Sequence, residues 1–440
     1  MTELDQNFHD APIDAASLDG VAAQGLSLRR VDDASRPEVD RWLDAVVRGF
    51  LGSERNETQW QAFFDLGAYR RKLGVYDAGA PLSEVPVATF ASWGARLTVP
   101  GGEVATCAIS SVTVAPTHRR RGLLRHMMSG ELRTAAALGF PVASLTVSES
   151  SIYGRYGFAP AAAAAEWEID ARRAGWVGPE PEGRIDFVSR DQARELAPVL
   201  HERTRTASPG EIDMPGGHWD RFFGTRPDAE KAEELRAVQF RSPTGSLDGL
   251  ALYRVTENHD DFAASRVDVQ LLLSATDAAY AALWRFLLSM DLIGTVRAGE
   301  LSTDEPLWWM LADQRAAKIT VRDHQYVRIL DPVAALAARR WDVVDVVALE
   351  VADPLGIAAG TYILRTGPDG AAEVERGDVD DAAPSAALRV TLGVAELSAI
   401  LLGGVSAATL AAAGRIRTED PARLARLFAG TVTPRLSFWY

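Results

Sequence analysis

The chain has one cysteine, Cys107, three lysines and seven histidines among 440 residues. A single thiol excludes an intramolecular disulfide framework. The histidines, at 9, 118, 126, 201, 218, 259 and 324, form no H-E-x-x-H or other ligand spacing, so no metal is expected. Positive charge is also scarce: 46 Lys and Arg stand against 60 Asp and Glu, a net charge of −14. That balance argues against nucleic acid or an anionic membrane as a partner and suits a cationic substrate. Long apolar runs are few. The longest uncharged stretch, 397–414, contains Gly403-Gly404, two serines and a threonine, and reads as two soluble helices broken at the glycines. Residues 1–24 carry Glu3, Asp5, Asp10, Asp14 and Asp19 with no Lys or Arg, which does not read as a signal peptide. They are expected to be a mobile acidic tail, and the protein to be cytoplasmic.

What remains is an ordinary globular composition, 47% apolar and 24% charged, long enough for several cores. Three blocks separate by pattern. In residues 25–170, Arg36–Leu51 and Gln59–Leu66 have helical spacing, Val87–Trp93, Thr106–Val114 and Val142–Val147 read as strands, and Arg119–Leu138 reads as a helix between the last two. That alternation predicts an α/β layer. Residues 171–324 repeat the order, with a hairpin about Ser242-Pro243-Thr244-Gly245, a strand at Asp268–Leu273 and a helix at Ala275–Ser289. Residues 325–440 give four strands, then helices at Val394–Leu402 and Pro421–Phe428, an α+β unit. The last three residues, Phe438, Trp439 and Tyr440, are aromatic. Burying each large ring is worth ~1.5–3 kcal/mol, so this end is expected to dock.

The strongest local signal is Ile109–Met128. A β-rich run meets Pro116, then Arg119-Arg120-Arg121-Gly122, then an amphipathic helix. Free N–H groups at a helix start carry partial positive charge and bind phosphate. Gly122 removes a Cβ from the approach, and Arg119, Arg120, Arg121 and Arg125 supply charge for a polyphosphate. Read alone, this turn is equally a solvated basic helix start. A second element strengthens it: a strand ending in Ser148-Glu149-Ser150-Ser151, then Ile152-Tyr153-Gly154-Arg155-Tyr156-Gly157-Phe158.

With both elements in place, the chain resembles the GNAT superfamily of acetyl-CoA-dependent N-acetyltransferases, whose motif (Gln/Arg)-x-x-Gly-x-(Gly/Ala) follows a strand. Arg119 and Gly122 match it, and Leu124 departs from its last position. Within that superfamily the chain is similar to the enhanced intracellular survival (Eis) acetyltransferases. The similarity lies in Val114–Gly122, Ile152–Phe158, Leu401–Ser406 and Ala413–Ile416, and covers nearly everything after residue 24. The resemblance implies tandem GNAT-type domains, the second degenerate and without a cofactor site, followed by a sterol-carrier-like domain.

It also implies roles. Val112, Thr113 and Val114 would pair by backbone with the pantetheine arm of acetyl-CoA. Arg120, Arg121, Gly122, Leu123, Leu124 and Arg125 would wrap its pyrophosphate. Ser148 and Glu149 would lie beside the acetyl end. Tyr153 would be the general acid and the carboxylate of Tyr440 the general base. The acceptor would be a primary amine of a small cation, with aminoglycosides, polyamines and lysine all open, and the assembly a homo-oligomer, a hexamer.

The residue chemistry is compatible. A phenol of pKa ~10 suits protonation of a departing thiolate. An α-carboxylate is a feeble base in water that burial among Phe438 and Trp439 would strengthen. For Tyr153 the bland alternative is a core aromatic, and for Ser148–Ser151 a helix cap. Cys107, inside a strand with no histidine in reach, reads as a buried thiol, and His118 as solvated. Phe50 and Trp60 are divided between an amine pocket and helix packing. The competing function is a lipid or sterol carrier with a vestigial acetyltransferase domain, which needs a continuous apolar tunnel in 325–440.

Overall fold

The structure, a computed structural model, describes residues 2–377 and 386–440. Met1–Ala161, Gln325–Val432 and Tyr440 form one compact unit; Ala162–His324 and Thr433–Trp439 form another.

The acidic N-terminal stretch is not a mobile tail. Glu3–Asp10 (α1) and Ala15–Ala22 (α2) are helices, capped by Thr2 on the Asp5 amide and by Asp14 on the Ser17 amide. Phe8 is fully buried, edge-on to Phe140 at 5.2 Å. Buried Arg71 donates to the carbonyls of His9 and Ala11 and to Glu131. Three of the acids that suggested solvation have partners: Asp5 completes the Thr2 capping box, Asp10 lies beside His9, and Asp14 is hydrogen-bonded by Arg133, which holds its carboxyl down to about 2.

The first unit continues through Ser27–Arg30 (β1), Arg36–Gly49 (α3), Glu57–Leu66 (α4), Arg71–Tyr76 (β2), Ala88–Val99 (β3), Gly102–Val114 (β4), Leu123–Ala137 (α5) and Val142–Thr146 (β5). Strands β1 to β4 are antiparallel neighbours, and β5 joins β4 in parallel. The parallel step needs a crossover, which α5 supplies. Its buried Leu123, Met127, Met128, Leu132 and Ala135 recur at helical spacing and face the core under the sheet. On α3, Trp42 is fully buried and donates its indole N–H to the Leu73 carbonyl at 2.8 Å. The far edge of β5 is covered antiparallel by Gln325–Ile329.

The third block belongs to this first unit. Strands at 345–352, 360–366, 372–376, 388–393 and 416–418 make a five-stranded sheet, with the 345–352 strand at its centre. The uncharged run is two helices, Val394–Ile400 and Ala407–Ala412. Between them Gly403 has φ 85°, and a Cβ there would lie 2.6 Å from the Gly430 nitrogen. Among the described residues no helix is long and apolar enough to cross a membrane.

In the second unit, strands at 159–170, 293–301, 265–274, 247–256, 235–241 and 184–188 lie side by side in that order. Its centre repeats the first unit: an antiparallel hairpin, then helix Asp277–Leu288, then Ile293–Leu301 parallel to Ser265–Ser274. Helix Arg190–Arg205 begins at the capping box of Ser189 and Gln192. The terminal segment is pinned here by Arg435, whose amide donates to Pro209 and whose guanidinium lies beside buried Glu211 and Glu305, and by Ser437 on Glu211.

Candidate active site

In β4 the arginine-rich turn is approached through a break in regular pairing. Thr89 pairs with Thr113 and Ala91 with Ser110, so Phe90 faces two residues, Ser111 and Val112. This is a β-bulge, with Ser111 at φ 53° and the Thr89 hydroxyl donating to the Ser111 carbonyl at 2.9 Å. On the opposite edge β4 pairs with β5 only from Thr106 to Ile109. Beyond Ile109 the two parallel strands part, although β4 runs on to Val114. The main chain of Val112, Thr113 and Val114 therefore has no β5 partner in the sheet.

Past Val114 the chain makes a single turn at Pro116–His118. Arg120, at φ 64°, and Gly122, at φ 74°, are then left-handed with Arg121 between them. Such alternation turns successive N–H groups toward one side, a cradle for an anion. The helix begins at Leu123, not at Arg119: left-handed residues cannot join a right-handed helix, and the three arginines stay in the turn. Gly122 is the N-cap and supplies no side-chain cap. Arg119, Arg120, Arg121 and Arg125 are exposed, while Leu123 is in the core and Leu124 is half-buried against it. His118 is not solvated; it bonds Asp77 at 3.0 Å and its side chain is 11% exposed.

Beyond β5, Ser148 and Glu149 are exposed. Tyr153 is 7% exposed, edge-on to Phe158 at 6.3 Å, and among the described residues its hydroxyl has no hydrogen-bond partner. Burial, aided by Glu149 and Tyr156, pushes its pKa up to about 12.

Tyr440 sits on β5. Its main-chain oxygen accepts from Thr146 Oγ1 at 2.8 Å, its phenol donates to Ser144 Oγ at 2.9 Å, and its ring meets Trp93 edge-on at 5.4 Å. Phe438 and Trp439 do not join it in the first unit: Phe438 packs against His201 and His218, and Trp439 against His324, all in the second. The Tyr440 main-chain oxygen is thus held by Thr146, and its ring by Ser144 and Trp93. Trp93 and Tyr69 together face the Arg70 guanidinium, 5.4 and 5.2 Å from the two ring centres. Phe50 is 53% exposed, Trp60 packs against the α3 cluster, and Cys107 is fully buried.

Ser144, Thr146, Trp93, Tyr69 and Arg70 were not expected from the sequence. The available signal was the pair of hydroxyls two apart in an otherwise apolar strand, which places both on one face.

The matching start in the second unit is built differently. Helix Asp277–Leu288 is capped by the Thr276 side chain on the Ala279 amide, and an acid, Asp277, occupies its first turn. A capped, acidic helix start disfavours an anion. Among the described residues no group of three or more His, Cys, Asp or Glu is placed to hold a metal.

The sequence matches the acetyltransferase (GNAT) domain family over residues 30–161, a second acetyltransferase (GNAT) domain family over 210–329 and the sterol carrier protein domain over 332–437. It is 40% identical over 395 residues to an uncharacterised N-acetyltransferase of Streptomyces avermitilis, covering 87% of this chain and 91% of that one. It is 35% identical over 407 residues to the N-acetyltransferase Eis of Mycobacterium bovis, covering 90% and 94%. Among solved structures it is similar to Eis1 of Mycobacterium abscessus, with a TM-score of 0.78 and 28% identity over 94% of this chain and 100% of that one. The open parallel strands, the anion cradle at a helix start, the tandem repeat of that architecture and these relatives lead to one assignment: the chain is an acyltransferase of the Eis family of GNAT N-acetyltransferases.

Proposed function

We propose that this protein is a cytoplasmic, acetyl-CoA-dependent N-acetyltransferase of primary amines on small cationic molecules. The observation that carries the reading is the parting of β4 from β5 beyond Ile109, directly before the uncapped start of α5. The main chain of Val112–Val114, open on its β5 side, is the complement of an amide-bearing pantetheine arm. The cradle from Arg120 to Arg125 is the complement of a pyrophosphate. When bound, acetyl-CoA supplies an activated acetyl thioester.

The chain's own groups do the rest. Tyr153, protonated throughout the physiological range because its pKa lies near 12, hydrogen-bonds the sulfur as charge develops and passes it a proton. Ser148 and Glu149 flank the acetyl end. The terminal carboxylate of Tyr440 takes a proton from the attacking amine or holds the substrate ammonium. A cationic acceptor is supported by the net charge of −14 and by Trp93 and Tyr69, two rings already facing a guanidinium. The carrier alternative gains nothing from the third block, where buried Arg339 donates to the carbonyls of Ile400, Leu401, Phe428 and Ala429, beside the Trp341–Phe428 ring pair.

A thiol-release assay with acetyl-CoA and a panel of aminoglycosides, polyamines and lysine peptides tests the reading. Amine-dependent release of CoA is expected; none across the panel, with acetyl-CoA bound, would refute the acceptor class. The proposed homo-oligomer, a hexamer, is checked by light scattering.

A further inference from the structure

Tyr440 lies along β5, held at both ends. The phenol donates to Ser144 Oγ at 2.9 Å and the main-chain oxygen accepts from Thr146 Oγ1 at 2.8 Å. The two hydroxyls belong to residues two apart on one strand, so they share a face and repeat at about 6.6 Å. One tyrosine reaches from one to the other. The phenol end is the fixed one. Tyr440 is 5% exposed, Gln325 also hydrogen-bonds its hydroxyl, and Thr106 donates to the same Ser144 oxygen at 3.1 Å. The Thr146 end is half-buried at the last residue of β5, the strand that leads into Ser148, Glu149 and Tyr153. Threonine is restricted at χ1, so its hydroxyl oxygen has a defined position, from which it donates to Tyr440.

We infer that Ser144 and Thr146 are positioning residues for the terminal carboxylate: Ser144 anchors the ring, and Thr146 fixes where the carboxylate stands at the end of β5. The inference rests on the proposed catalytic role of that carboxylate. The ring anchor sets distance along the strand and the threonine sets orientation, so neither alone specifies the position.

The experiment compares Thr146→Val, Thr146→Ser and a wild-type chain extended by Gly-Ser after Tyr440, in the full-length protein. Thr146→Val keeps the branched shape and removes the O–H. It is expected to lower kcat about tenfold at saturating acetyl-CoA, with the acetyl-CoA KM and the melting temperature unchanged. Thr146→Ser restores the hydroxyl and is expected to recover most of kcat, which a purely packing role for Thr146 would not produce. The extended chain is expected to lose most activity. If it does and Thr146→Val still turns over normally, the clamp is overturned while the carboxylate role stands. If the extended chain is fully active, the carboxylate role falls and the clamp with it.

Discussion

Arg328 and Asp353 form an ion pair in which neither side chain has exposed surface, and Arg328 also donates to the Tyr156 carbonyl at 3.2 Å. The pair ties the strand beside β5 to the third block and to the turn that carries Tyr153. Burial pulls the Arg328 pKa down, and Asp353 opposes that shift. Removing one partner leaves a buried charge unmatched. Asp353→Ala is therefore expected to cost about 3–5 kcal/mol, read from the urea midpoint. Slower turnover at a temperature where the variant is still folded would show that the turn has moved.

At the arginine turn, replacing Arg120 and Arg121 together by Glu reverses charge beside the open amides of α5. Binding of acetyl-CoA is expected to weaken at least tenfold, ~1.4 kcal/mol, with the melting temperature retained because both side chains are exposed. Calorimetry at two salt concentrations checks this, and the variant should show the flatter salt dependence.

Tyr153→Phe removes one hydroxyl and little volume. A lost general acid costs roughly 10²–10⁴ in rate, so kcat should fall by about that factor with acetyl-CoA affinity unchanged. The raised pKa adds a pH signature. The folded protein favours the neutral phenol, so the stability from this shift is complete below pH about 10 and is lost as pH rises through about 12. Wild type should lose stability across that window more steeply than Tyr153→Phe, measured by urea unfolding at each pH.

The N-terminal segment offers a fourth measurement. Phe8 is fully buried against Phe140. Phe8→Ala should destabilise by about 3–5 kcal/mol, whereas truncating a solvated tail residue would change nothing. A shift in thermal midpoint distinguishes the two.

The alternation of strands and helices was legible because each element buries one face: Arg36–Gly49 and Pro421–Phe428 stand almost where apolar spacing put them. The turn before α5 was legible too, as a glycine between arginines and an amphipathic run, although the helix starts at Leu123 rather than at Arg119. What the sequence did not show was long-range pairing. Asp14 capping α2 while bonding Arg133 looks like tail acidity until Arg133, 119 residues away, is placed beside it. His118 appeared solvated because Asp77 lies 41 residues upstream. The seat of Tyr440 escaped because Ser144 and Thr146 are ordinary strand residues until the far end of the chain arrives.

Gly122 and Thr276 occupy the same place in two copies of one architecture, and the difference between them separates folding from loading. The Ala279 amide in the second unit is closed by the chain itself. The first amides of α5 have no side-chain cap, and the proposed pyrophosphate would be their partner. In hydrogen exchange, residues 123–125 should exchange readily in the unliganded protein and slow sharply once a pyrophosphate is bound, while the Ala279 amide at the start of the 277–288 helix stays protected in both. If acetyl-CoA binds as proposed, one helix start is finished by folding and the other by its ligand, so a change in exchange at the first, set against a constant second, reports occupancy from within the same chain.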